Sequence, residues 1–78
     1  MEVYTVLHIS EVRGVGGRKR TVAIGRSAWF TAAEAEGYAR RSSQAHPSPQ
    51  RFAVYSPSRD WLGTWQCGER LAAFVVVS

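Results

Sequence analysis

One helix, bounded by strong local signals at both ends, divides this chain into two halves that alternate like strands. Thr31 and Glu34 form a capping box, in which the two side chains satisfy backbone donors at a helix start. Pro47 and Pro49 end the helix, because a proline lacks the backbone donor and disfavours helical geometry in the preceding residue. The sequence therefore predicts a single helix over residues 32–44.

The helix sequence also predicts which of its sides faces inward. Phe30 stands just before the cap, where the residue of a hydrophobic staple lies. Gly37 costs about 1 kcal/mol relative to alanine in mid-helix, so we expect it to mark a close approach of another backbone. Small residues at helical spacing let a helix lie close to a sheet. The expected inward-facing residues are Ala32, Ala35, Tyr38, Ala39 and Ser42.

Alternation of apolar and polar residues predicts strands on both sides of the helix. Before it, residues 2–12 and 20–26 indicate a hairpin, with the odd-numbered side of the first strand more buried and with Val22 and Ile24 pointing together in the second. After the helix, turn-forming segments such as 67–70 separate three short strands. Those strands are expected over residues 51–56, 61–66 and 71–77.

The resulting order of elements, ββαβββ, predicts an α+β fold. We expect a single antiparallel-rich sheet of four to five strands with one helix packed on one face. The chain of 78 residues has room for one hydrophobic core, so residues 1–78 are predicted to form a single small domain.

The loop between the first two predicted strands concentrates positive charge. From Arg13 to Arg20 it contains three glycines, four basic residues and no acidic residue, whereas the net charge of the chain is +4. The loop is too long for a two-residue turn, which indicates a bulged or mobile tip. Its cations are either simply solvated or contact an anionic partner, for which arginine is well suited. The expected binding residues here are Arg13, Arg18, Lys19, Arg20 and Arg26.

Two tryptophans add a second group of candidate binding residues. Trp61 and Trp65 share the parity of one short strand, and Gly63 between them is expected to leave open space. If exposed, the indoles would stack on unpaired bases or anchor a protein interface. If buried, they would form the core beneath the helix, which is the commoner role in a small domain. The sequence leaves both alternatives open.

The sequence offers no recognisable catalytic or metal-binding pattern. His8, His46 and Cys67 are too far apart for the usual ligand spacings, so no metal and no cofactor is predicted. The carboxylates do not form a pair suited to acid–base catalysis, and the glycine-rich loop leads into a strand and not into a phosphate-binding helix. We therefore expect a protein that is not an enzyme. A small ribonuclease using His8 and Tyr55 with arginines is the third-ranked alternative.

Composition sets expectations for compartment and self-association. A single cysteine and no evident signal peptide favour the cytoplasm. The longest apolar run, residues 71–77, is too short to cross a bilayer, so no membrane partner is expected. A strand this apolar must be covered on both faces, or it would form an edge that pairs with a second copy. A homodimer through an edge strand is therefore a further expectation.

The order of elements, together with the turn and tryptophan of Ser58, Arg59, Asp60, Trp61 and Leu62, resembles some small phage-encoded anti-CRISPR proteins. The resemblance implies a phage or mobile-element inhibitor that binds a nucleic-acid-handling complex stoichiometrically. Our leading hypothesis is accordingly a binding protein whose basic hairpin loop engages an acidic protein surface or a nucleoprotein complex. The second hypothesis is direct nucleic-acid binding, with phosphate contacts from the cations and base stacking by tryptophan.

Overall fold

One helix packs on one face of a five-stranded antiparallel sheet in the computed structural model, which describes residues 2–46 and 50–71. The strand order is β2-β1-β3-β4-β5, and every neighbouring pair is antiparallel. The predicted α+β fold and the order ββαβββ are confirmed. The elements are β1 (Tyr4–Arg13), β2 (Lys19–Trp29), α1 (Ala32–Ala45), β3 (Arg51–Tyr55), β4 (Trp61–Gln66) and β5 (Glu69–Arg70).

The helix begins where the capping box predicts. Thr31 Oγ1 accepts a hydrogen bond from the backbone N–H of Glu34 at 3.1 Å and donates one to Glu34 Oε1 at 3.0 Å. Helix α1 ends at Ala45, because the extended backbone of His46 (φ −119°, ψ 132°) stops the helical hydrogen bonding. Phe30, the expected staple residue, is 69% exposed and so buries little of its ring.

Thr31 provides a stability test of this helix start. Thr31→Ala should lower the free energy of unfolding by about 1 kcal/mol, because the N–H of Glu34 loses its side-chain acceptor. Urea unfolding followed by circular dichroism measures the change. Thr21→Ala is the control, since Thr21 is exposed and lies in a strand. Equal stability of the Thr31→Ala variant and the unsubstituted chain would show that this cap does not hold the helix.

The inner side of α1 differs from the expected one at two positions. Ser43, and not Ser42, is fully buried with Ala35 and Ala39. Its hydroxyl donates to the carbonyl of Arg40 at 2.8 Å and accepts the N–H of Gly68 at 2.9 Å, which ties the helix to the β4–β5 turn.

The close backbone approach expected at Gly37 is absent from the described residues, where an added Cβ would meet only the Arg41 side chain.

The hydrophobic core lies between α1 and the sheet face that carries the even-numbered residues of β1. Val6 is 1% exposed, and Tyr4 packs against the same cluster. The prediction that the odd-numbered side of β1 is more buried was therefore wrong, because the helix covers the other face. The buried cluster consists of Val6, Ala35, Ala39, Phe52, Val54 and Trp65.

Two β-bulges interrupt the alternation of side chains in the sheet. Ile24 is an extra residue in β2, since His8 pairs with Gly25 and Ile9 with Ala23. This insertion breaks the simple parity that places Ile24 with Val22, and Ile24 is 53% exposed. The second bulge lies at Leu62 in β4. Alternation counted across this extra residue therefore assigns the residues on one side of it to the wrong face of the sheet.

The last described strand, β5, lies within the segment 67–70 that was predicted to be entirely a turn. Only Cys67 and Gly68 form the turn, with φ of 53° and 83°, as a tight two-residue hairpin loop requires. Glu69 and Arg70 already pair with β4. Leu71 follows outside any strand, and the rest of the predicted strand 71–77, with the edge pairing expected from it, lies outside the described residues.

Candidate anion-binding site

The β1–β2 hairpin extends beyond the rest of the sheet as a two-stranded ribbon. Strand β1 pairs with β3 only over residues 5–9, whereas its pairing with β2 continues to Arg13 and Lys19. We call residues 10–22 the arm. Its strands extend for about four residues past the third strand, or about 13 Å at the usual rise of a strand. Most of its residues from Val12 onward are exposed.

A hydrogen-bonded turn closes the end of the arm. The N–H of Gly14 donates to the carbonyl of Arg18 at 2.7 Å, and the N–H of Gly17 donates to the carbonyl of Gly14 at 3.2 Å. Gly16 and Gly17 have φ of 84° and 78°, which glycine adopts at little cost. Val15 between them and Gly14 is fully exposed. The tip therefore presents one apolar side chain among glycines, two of which are held by backbone hydrogen bonds.

The cations of the arm are distributed over both faces of the ribbon. Arg13 pairs with Lys19, and Val12 pairs with Arg20. Side chains of a cross-strand pair share a face, and successive residues alternate between faces. Arg13 and Lys19 therefore lie on one face, Arg20 lies on the other, and Arg18 lies at the tip; all four are exposed.

The acidic residue closest in sequence to these cations, Glu11, is already engaged at the base of the arm. Glu11 Oε1 accepts a hydrogen bond from Arg51 Nη2 at 2.7 Å, and both side chains are about one-quarter exposed. This is the one salt bridge found among residues 2–46 and 50–71. The exposed cations of the arm thus have no internal counter-ion in the described part of the chain, and their charge is available to a partner.

Arg26 lies apart from the other basic candidate residues. It pairs with Leu7, six residues along β1 from Arg13, which corresponds to about 20 Å. There it lines a cavity of about 570 Å³ together with Arg59 and Tyr55. Partial burial raises the pKa of the Tyr55 hydroxyl above its usual value. The other lining residues are Glu2, Val3, Thr5, Leu7, Ser56 and Pro57.

Trp65 belongs to the core. It is 7% exposed, and the Arg70 guanidinium lies 5.9 Å from the centre of its ring. The open space expected at Gly63 is filled, since a Cβ there would lie 2.9 Å from the Trp65 ring and 2.7 Å from Arg70 Nε. In this conformation the Trp65 indole offers no open face for stacking a base.

Trp61 faces away from Trp65, contrary to the parity prediction. Because of the bulge at Leu62, Trp61 pairs with Tyr55, and its indole N–H donates to Thr64 Oγ1 at 2.9 Å. Thr64 alternates with Trp65 along β4 and so lies on the opposite face. The two indoles therefore do not form a shared stacking surface.

His8 and His46 meet although 38 positions separate them in the chain, a contact that sequence spacing did not reveal. Their ring centres are 4.8 Å apart, and the His8 ring stacks on Phe52 at 4.3 Å. Within the described residues no group of three or more histidine, cysteine, aspartate or glutamate side chains could hold a metal ion. His8 lies on the helix-covered face and Tyr55 on the other, so the two residues of the ribonuclease alternative are not brought together.

Comparison with known proteins gives no relative from which a role could be inferred. No protein-family model, curated protein or solved structure matches the chain. Among the described residues, no helix is long and apolar enough to cross a membrane.

Proposed function

We propose that this protein is a non-enzymatic binding module that engages an anionic macromolecule through the arm. One observation carries the proposal: four exposed cations lie on both faces and at the tip of a protruding ribbon, and no salt bridge within the described residues includes them. Cations with no internal counter-ion form a positive field that attracts a polyanion from a distance.

The construction of the arm favours binding over a merely solvated loop. Backbone pairing up to Arg13 and Lys19 and the hydrogen bonds at Gly14 restrict the backbone that carries the cations. Less conformational entropy is then lost when a partner binds than with an unstructured loop. The planar guanidinium of arginine can form two parallel hydrogen bonds with one phosphate or carboxylate.

The proposed partner is an acidic protein surface, a nucleic-acid-handling complex or nucleic acid itself, and the proposed setting is the cytoplasm. The likeness to anti-CRISPR proteins stays a prediction; under it, the arm would occupy a surface that its target uses for nucleic acid. Base stacking by Trp61 and Trp65 forms no part of the proposal, because Trp65 is buried and Trp61 lies on the other face.

Heparin, a sulfated polyanion, provides a first test. We expect the unsubstituted protein to be retained on a heparin column and the variant Arg18→Ala, Lys19→Ala, Arg20→Ala to elute at markedly lower salt, because three of the four arm cations are gone. The elution salt concentration is the measured quantity.

A matched variant separates the arm from overall charge. Arg40→Ala, Arg41→Ala, Arg59→Ala also removes three exposed cations but leaves the arm intact. It should elute near the unsubstituted protein. Equal shifts for the two triple variants would contradict the proposal, since binding would then follow net charge alone. Circular dichroism should show the same fold for all three proteins.

A further inference from the structure

The distribution of charge on the arm indicates the shape of its partner. A ribbon that meets a flat acidic surface uses only one of its faces. Here Arg13 and Lys19 lie on one face and Arg20 on the other, with Arg18 at the tip. All of them contact anions at once only when negative charge surrounds the ribbon, as it does between the two phosphate walls of a nucleic-acid groove.

The dimensions of the arm select one kind of groove. The major groove of B-form DNA is about 12 Å wide and admits a two-stranded ribbon such as the arm. The major groove of A-form RNA is too deep and narrow for side chains to read. The arm projects about four residue pairs beyond the third strand, so the body of the protein can remain outside the groove.

The exposure of Val15 is the second observation that indicates the kind of partner. Val15 is fully exposed at the apex, and the neighbouring residues 14, 16 and 17 are glycines with no side chains to shield it. An exposed apolar residue at the end of a basic ribbon is suited to the floor of the major groove, where the thymine methyl group offers an apolar contact. A uniformly acidic protein surface offers no comparable partner for it.

We propose that the arm inserts into the major groove of double-stranded DNA, with its cations against the phosphates of both walls and Val15 against base edges at the floor. This inference rests on the proposed function and names the partner of the same site. An acidic protein surface is the alternative that the following experiment separates from it.

Fluorescence anisotropy with labelled 20-base-pair duplexes tests the inference. At 50 mM salt the protein should bind an A·T-rich DNA duplex at least tenfold more tightly than an RNA duplex of the same sequence, because only the DNA groove admits the ribbon. Equal affinity for the two duplexes, or no binding to DNA, would overturn the groove assignment.

Deoxyuridine in place of thymidine tests the position of Val15. The exchange removes the methyl group and leaves the phosphate charge unchanged. The exchange should weaken DNA binding by the unsubstituted protein about fourfold, which is the contribution of one buried methyl group. It should not change the affinity of the Val15→Ser variant. The same loss with both proteins would overturn this placement.

Heparin retention distinguishes the two levels of the proposal. If heparin retention depends on the arm while DNA and RNA bind equally, the groove inference fails and the proposed function stands with phosphate contacts that do not need the groove. If it depends on the arm while neither duplex binds, the groove inference fails and the proposed function stands with an acidic protein as partner. If neither heparin nor DNA binding depends on the arm, both fail.

Discussion

Phe52→Ala should leave most of the protein unfolded at 25 °C. Phe52 is 1% exposed and lies at the centre of the core, with its ring stacked on His8 and 5.4 Å from the ring of His46. Truncating a buried phenylalanine to alanine costs about 3–5 kcal/mol. A domain of this size rarely has more than about 3–5 kcal/mol of stability, so the loss removes nearly all of it.

Urea unfolding followed by far-ultraviolet circular dichroism measures this effect. Phe30→Ala is a matched control, because it removes the same ring from a position that is 69% exposed. The control should change the free energy of unfolding by no more than about 0.5 kcal/mol. If Phe52→Ala unfolded at the same urea concentration as the unsubstituted protein, the core would lie elsewhere.

The order of elements could be predicted because its signals are local. The capping box of Thr31 and Glu34 indicates the helix start within four residues. The observed helix Ala32–Ala45 is one residue longer than the predicted 32–44. Strand Trp61–Gln66 has the predicted limits. Each of these features depends on residues close in sequence, so neighbouring side chains contain the necessary information.

The facing of side chains could not be predicted, because it depends on contacts between distant segments. A bulge inserts one residue into a strand without leaving a mark in the hydrophobic pattern. The bulge at Leu62 therefore places Trp61 on the face of β4 opposite to the one that the pattern predicts. Which face of β1 is buried depends on where α1 lies, and both faces of β1 contain apolar residues. The alternation of residues alone predicted burial of the odd-numbered face, whereas the even-numbered face is the buried one.

The candidate site was only partly predictable for the same reason. The cluster from Arg13 to Arg20 is visible in the sequence, but its division between two faces follows from the pairing of Arg13 with Lys19. The separation of Arg26 from this cluster follows from its pairing with Leu7. Because these cations are close in the sequence, we expected them to act together. The strand pairing divides them between two faces and places Arg26 apart.

Salt should weaken DNA binding steeply if the arm cations contact phosphates. Each such contact releases counter-ions and contributes about −0.9 to the slope of log affinity against log salt concentration. Four contacts give a slope of about −3.6, or a loss of about 150-fold between 50 and 200 mM salt. Arg18→Ala, Lys19→Ala, Arg20→Ala should reduce the slope to about −0.9, with a loss of only about threefold over the same range.

This slope, measured by anisotropy on one duplex for the unsubstituted protein and both triple variants, tests the role of the arm most directly. We predict that the arm variant loses about three-quarters of the slope and that Arg40→Ala, Arg41→Ala, Arg59→Ala keeps nearly all of it. Identical slopes for the two variants would contradict the assignment of binding to the arm.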